Sequence, residues 1–383
     1  METLFTTDGA GAVKKWARKA IYEISKESYF IGHMAGGDDA KLPICIKTDL
    51  EEGPGDEITH YLAAKLTGIP VQGDAKGEGK EQRIFDYVDK LTIDVNRKPV
   101  DVGTIMDQKR RPYDLRVSTT KRIGEYWAEY LDEEMFCQLS GQRGTGENLQ
   151  HIPVGYNGFP HAFVPPDAAH TMYPGNVASA ATLADTDLMS RGAIEQVSLR
   201  AANFIGGRSK RFKMNMCNVE GGKYWVHLMH DGQMFDLRQE TGDAGWLTLE
   251  KARATAIGSR SPIFMGAAGA TALLNQVILH SHTSVTYRKD YGAGANVAGF
   301  RSLFMGAHAG LLSWGTRKKE KNGVRMDMNP VKTDLGFRGV IDSITVCGLK
   351  RAQFDGSDFA CISLDTAVSE KARRQLLDAN LVA

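Results

Sequence analysis

From Leu115 onward the apolar positions fall at steps of four: Leu115, Ile123, Trp127, Leu131, Met135 and Leu139, with Thr119 filling the one gap. Such a step keeps a single stripe on one face of a helix. Pro112 suits a first helical turn, where its missing N–H would have had no partner, and Gly141 suits a stop. The pattern predicts one helix over residues 112–140, roughly 40 Å long at 1.5 Å per residue, with Ile123, Trp127, Leu131 and Met135 in the core. A different period precedes it. Ile58, His60, Leu62, Ala64 and Leu66 alternate with more polar neighbours, as do Leu91, Ile93 and Val95, which predicts two strands. Residues 73–82 between them are polar and spaced by glycine, so they form an exposed tip. The pair is a long hairpin whose end, with Gly73, Asp74, Lys76, Glu78, Lys80 and Glu81, is expected to meet other subunits.

The rest of the chain is mixed. Residues 14–29 carry Trp16, Ala20 and Ile24 four apart and read as a short amphipathic helix, which Gly32, Gly36 and Gly37 should end before an extended run through Ile44, Ile46 and Leu50. These first fifty residues read as an arm without a core. Residues 141–185, rich in Gly, Pro, Asn and His, read as a long irregular insertion. Beyond it a helix is expected over 187–204, a strand over 224–229, apolar runs over 263–281 and 300–314, and a charged loop over 317–322. Strand-like runs at 344–349 and 359–364 flank Asp355-Gly356, a favoured hairpin turn that Phe354 and Ser357 should lengthen. Helices and strands are interspersed without a βαβ rhythm, so the fold class is α+β.

Composition narrows the function. Of 383 residues, 42% are hydrophobic and 24% charged, close to ordinary globular proteins, which removes disordered, collagenous and coiled-coil readings. Lys plus Arg number 47 against 46 Asp plus Glu, so no overall basic field exists and any contact with nucleic acid must be local. The best-placed cluster is Lys14, Lys15, Arg18 and Lys19, which offers charges for phosphates but no Asn or Gln for base edges. Pairing with acids of a neighbouring subunit is the alternative for these four. Five cysteines at wide spacings form neither a disulfide framework nor a zinc motif and fit a reducing compartment. The N-terminus lacks the apolar stretch of a signal peptide, and the longest apolar run, residues 262–274, is too short for a membrane span.

Candidate chemistry is sparse. The segment 73–80 has Asp74 where a phosphate loop needs a glycine and is followed by Glu81 where it needs a hydroxyl, and Gly292-Ala293-Gly294 with Gly299 misplaces the third glycine of a dinucleotide fingerprint. His227 with His230 and His280 with His282 are close enough to share a metal, and Asp231 adds a carboxylate, but neither pair lies in H-E-x-x-H and no cysteine or paired acid stands nearby in sequence, so they read as core or interface histidines. No nucleophile elbow is present. No catalytic residue, cofactor or metal site is expected.

Several segments, in order along the chain, resemble one family. Lys47-Thr48-Asp49-Leu50 with Gly53-Pro54-Gly55-Asp56, and Asp107-Gln108 with Arg111-Pro112-Tyr113-Asp114-Leu115-Arg116, are similar to the hairpin and helix entries of a family of tailed-bacteriophage major capsid proteins with the HK97-type fold. Val226-His227-Leu228-Met229-His230, Phe304-Met305-Gly306-Ala307-His308-Ala309-Gly310 and Ser363-Leu364-Asp365-Thr366-Ala367 continue the series. The resemblance implies an N-terminal arm (1–50), an extended hairpin or E-loop (51–105), a peripheral domain with the spine helix and insertion (106–186), an axial domain (187–339), and a return to the peripheral domain (340–383). It further implies assembly into hexamers and pentamers of an icosahedral head around double-stranded DNA, in the virion after assembly in the bacterial host cytoplasm. Scaffolding, portal and cement or decoration proteins would be partners, and no membrane would be involved. The competing readings are a soluble bacterial enzyme with a nucleotide or metal site, and a minor structural protein of a phage.

Overall fold

The computed structural model describes residues 24, 27–50, 55–74, 76–112, 115–206, 212–219, 222–240, 272–315, 326–333 and 337–376. The helix expected over 112–140 forms as Leu115–Ser140, 26 residues. Every position of the four-step stripe from Leu115 to Leu139 is buried, including Thr119. Trp127 fills the middle and donates its indole N–H to the Ser343 hydroxyl at 3.1 Å, so its one polar atom is not stranded in the core. Gly141 closes the helix at φ +73°, its amide bonded to the Cys137 carbonyl at 2.9 Å. The element is a spine on which two sheets meet.

A six-stranded sheet runs in the order Ala35–Gly36, Ile44–Lys47, Gly310–Gly315, Arg338–Arg351 and Met326–Thr333, with Asp94–Thr104 along the opposite side of Arg338–Arg351. Arg338–Arg351 is thereby the middle of a three-stranded ribbon. Each outer strand carries a proline at nearly the same level: Pro99 opposite Asp342 and Pro330 opposite Ile341. An eight-stranded sheet is centred on Val297–Met305, which pairs with Cys361–Ala367 and with Gly222–Met229. All nine residues of Val297–Met305 are buried, so both faces of that strand are covered. Strands from residues 187–339 are shared between the sheets, since Gly310–Gly315 and Met326–Thr333 lie in the six-stranded one. One hydrophobic cluster runs through both.

Three expectations are corrected. Gly32 does not end the first described helix but lies inside it, Tyr29–His33, which stops at Met34. Residues 28–50 are not a core-free arm: Tyr29, Phe30, Met34 and Ile44 are fully buried, and Ile44–Lys47 pairs in parallel with Gly310–Ser313. Asp132 of the spine helix receives the Tyr29 and Phe30 amides at 2.7 and 3.1 Å and the Ser28 hydroxyl at 2.7 Å, which fixes this segment to the body. The final hairpin is not lengthened by Phe354 and Ser357, because these two residues pair directly. Asp355 and Gly356 both have positive φ, +56° and +75°, the conformation a two-residue primed turn requires. Its flanking runs then part, Arg338–Arg351 into one sheet and Cys361–Ala367 into the other.

The insertion is irregular as expected, with one two-residue strand, Thr171–Met172, and one 3-10 turn, Ala180–Thr182. It packs Leu149, Ile152 and Phe163 around Cys137 of the spine. The start of the amphipathic segment 14–29, the apolar residues 263–271 and the charged loop 317–322 lie outside the described residues.

Candidate assembly surfaces

The long hairpin consists of Glu57–Ala63 against Asp86–Thr92, antiparallel from Glu57 opposite Thr92 to Ala63 opposite Asp86. Past this ladder the chain runs to the tip without regular strand, held by an Ala64 amide to Phe85 carbonyl bond and a Gln82 to Thr67 clasp. Gly73, Asp74, Lys76, Glu78, Lys80 and Glu81 are all exposed. Gly79 turns the chain at φ +82°, where the Lys80 amide reaches the Gly77 carbonyl at 3.0 Å. Sequence reasoning found this polar end but passed over what lies behind it. Tyr61, Leu66, Ile69, Val71, Ile84, Phe85 and Val88 are exposed too, Ile69 at 84% and Ile84 at 76%. So many large apolar side chains leave an uncovered apolar surface on this one element.

The root of the hairpin is held firmly. Asp89 is buried, forms an ion pair with Lys350, and accepts the Gln353 amide at 3.0 Å. The Thr92 amide donates to His161 Nε2 of the insertion at 2.9 Å. His60, opposite Asp89, is 6% exposed and lies with its ring 5.9 Å from that of His308 and 5.7 Å from that of Phe354. Burial, with Lys47 and His308 nearby, pushes the His60 imidazole down to about 4.

The spine residues Ile123, Trp127, Leu131 and Met135 are where the sequence placed them, each 2% exposed or less. Lys14, Lys15, Arg18 and Lys19 lie outside the described residues. The remaining histidines do structural work. His227 is fully buried with Nε2 3.0 Å from the Ser302 hydroxyl, and burial pushes it down to about 3. His230 accepts the Gly232 amide as a helix cap and stacks on Phe300 at 3.8 Å, while His282 stacks on Phe136. Among the described residues one carboxylate–histidine group, Asp167, His170 and Asp358, has ligand-like spacing. Its oxygens are already taken: Asp358 faces Arg351 at 2.9 Å and accepts from Gln353, and Asp167 accepts from Ser357 and His170. This is a hydrogen-bonded corner of the fold. Gly299 lies in the strand Val297–Met305 and Gly292 in the turn that joins it to its antiparallel partner Tyr287–Tyr291, not in a strand–helix turn that could cradle a pyrophosphate.

A long exposed hairpin, a spine helix and two sheets meeting on it form a scaffold without a chemical centre among the described residues. The model of a family described as phage capsid protein matches residues 5–370. The chain belongs to that family. As a major capsid protein it forms the shell of a phage head and is structural, not an enzyme. Among solved structures, the capsid of Ralstonia phage GP4 is 34% identical, with 97% of this chain and 99% of that chain covered and a TM-score of 0.81. The capsid protein also shares its HK97-like fold with the Cyanophage Pam1 capsid (17% identity, 90% and 93% coverage, TM-score 0.66) and with the head of Helicobacter pylori bacteriophage KHP40 (13%, 90% and 91%, 0.61). No curated protein matched the chain. The capsid protein has no helix, among the described residues, long and apolar enough to cross a membrane.

Proposed function

We propose that the shell is built by a heterologous contact in which the distal hairpin of one copy lies across the body of the next, closing hexamers and pentamers. The observation that carries this is the row of exposed apolar side chains from Tyr61 to Val88, combined with the polar tip from Gly73 to Glu81. A patch that meets a different patch on an identical copy generates rings and closed shells. Desolvating the apolar row supplies affinity, while the charges of the tip select the register. In this reading the eight-stranded sheet is the axial part and the six-stranded sheet with the spine is the peripheral part. Double-stranded DNA inside the shell meets the cluster Lys14, Lys15, Arg18 and Lys19, without reading its sequence.

The test replaces residues 73–82 by Asn-Gly, a turn compatible with the antiparallel ladder. The variant should fold with an unchanged melting temperature and leave unassembled subunits in electron micrographs. Shells at the normal yield would show that the tip makes no essential contact.

A further inference from the structure

The root of the hairpin gathers six segments, most of them far apart in sequence, and each brings a charged or titratable group to the same place. The strand Glu57–Ala63 brings His60, and its partner Asp86–Thr92 brings Asp89. The N-terminal segment brings the ion pair of Asp38 with Lys47, and Lys41 lies on the same stretch. The loop between the two sheets brings His308, held at φ +59° with its amide on the Leu42 carbonyl at 2.8 Å. The strand Arg338–Arg351 brings Lys350, paired with Asp89, and the insertion brings His161. Phe354 closes the remaining side of His60. His60 Nδ1 and His308 Nε2 are both buried without a hydrogen-bond partner.

The charges already balance. Each carboxylate, Asp38 and Asp89, has its own lysine, so neither is left over to neutralise an arriving proton. A proton on either imidazole would therefore place a cation near the Lys47 ammonium and a second imidazole ring 5.9 Å away, with the Phe354 ring 5.7 Å from His60. We propose that the facing pair His60 and His308 is an acid-sensitive latch that holds the hairpin root against the subunit body and releases it when the pair is protonated. This goes beyond the contact made by the tip, because it concerns how the hairpin is held by its own subunit.

The sign follows from linkage. A released His60 would titrate near its ordinary value of 6.5, whereas the docked one is pushed down to about 4 by burial first and then by Lys47 and His308, with Asp38 and Asp89 opposing. His308 is lowered as well, again by burial. The released state binds more protons, so docking is fully supported above about 6.5 and weakens as pH falls toward 4. Over that window the opening equilibrium should rise on the order of a hundredfold from His60 alone.

Hydrogen exchange of the full-length unassembled subunit, corrected for the intrinsic pH dependence of exchange, reads this opening at the strands Glu57–Ala63 and Asp86–Thr92. Between pH 7 and pH 4 the wild type should lose protection there on the order of a hundredfold while the spine helix keeps its own. The double variant His60→Phe, His308→Phe should keep hairpin protection across the window. Unchanged protection in the wild type would overturn the proposal, and so would an equal loss in the variant, which would assign the effect to Asp38 and Asp89. Should the Phe variant fail to fold, an NMR titration of the His60 ring in the wild type decides. A midpoint that coincides with hairpin opening supports the latch; a midpoint near 6.5 with the hairpin still protected excludes it.

Discussion

Trp127 combines volume with one hydrogen bond, and the two contributions can be separated. Its ring is 2% exposed in the main core, and its N–H reaches Ser343 across 216 positions of sequence. Trp127→Ala should lower the unfolding free energy of the unassembled subunit by ~3–5 kcal/mol. Ser343→Ala removes that acceptor together with the hydroxyl's own bond to the Lys98 carbonyl at 2.8 Å, and should cost ~1–3 kcal/mol, that of buried polar groups left without a partner. Urea unfolding monitored by circular dichroism measures both, and an unchanged midpoint for Trp127→Ala would place the helix outside the folding core. The burial of Trp127 was legible because the four-step stripe is a local pattern. Its partner was not, since nothing near Ser343 marks it as an acceptor for an indole so far away in the chain.

Elements were legible where the period was long and local. Seven positions at one step gave the spine helix, described over Leu115–Ser140, with Pro112 itself not helical. Ile44–Lys47 was read correctly as extended, but its place in the core was missed, because nothing local shows that the strand completing it begins at Gly310. The last hairpin was misread because its turn residues were clear while the destinations of the long strands depend on two sheets that no local window contains. What ties those sheets to the spine is equally remote. Arg301 lies opposite Asp365 in register, bonds it with Nε and Nη2 at 2.7 and 2.8 Å, and sends Nη1 to the Ser140 carbonyl at 3.1 Å. Both side chains are buried, so Arg301→Met alone should destabilise by ~3–5 kcal/mol, because it leaves the Asp365 charge with only the Arg288 guanidinium at 3.5 Å. Adding Asp365→Leu should recover much of that loss, since an apolar pair can replace a buried ion pair. A double-mutant cycle by thermal unfolding checks it; simple additivity would mean that the two residues act separately.

At the scale of the whole molecule, near-neutrality sets the terms on which the capsid protein can meet DNA. With 47 basic and 46 acidic side chains there is no general attraction, so contact depends on patches. Replacing Lys14, Lys15, Arg18 and Lys19 with Gln should leave assembly of empty shells intact. It should also flatten the salt dependence of DNA binding by free subunits, the log–log slope falling by roughly one for each phosphate that is no longer neutralised. Filter binding between low and moderate salt measures the slope, and an unaltered slope would assign these charges to neighbouring carboxylates. The fold class, the spine and the projecting hairpin were readable at this scale, because each has a pattern within one stretch of chain. The apolar row behind the tip was not, because the same alternation that predicts a strand gives no sign of which face is left uncovered.

The two prolines of the three-stranded ribbon bear on a hazard peculiar to a protein made in many copies and stored at high density. Asp94–Thr104 and Met326–Thr333 are outer strands, and an outer strand invites another chain to extend the ladder. Pro99 and Pro330 remove one amide donor from each, at the level of Asp342 and Ile341, midway along the ribbon. A stray strand approaching from either flank meets an interrupted row and gains little by staying. Crowded subunits can then collide through these edges and part again, so that growth by runaway fibre formation is disfavoured while the finite shell remains open to them.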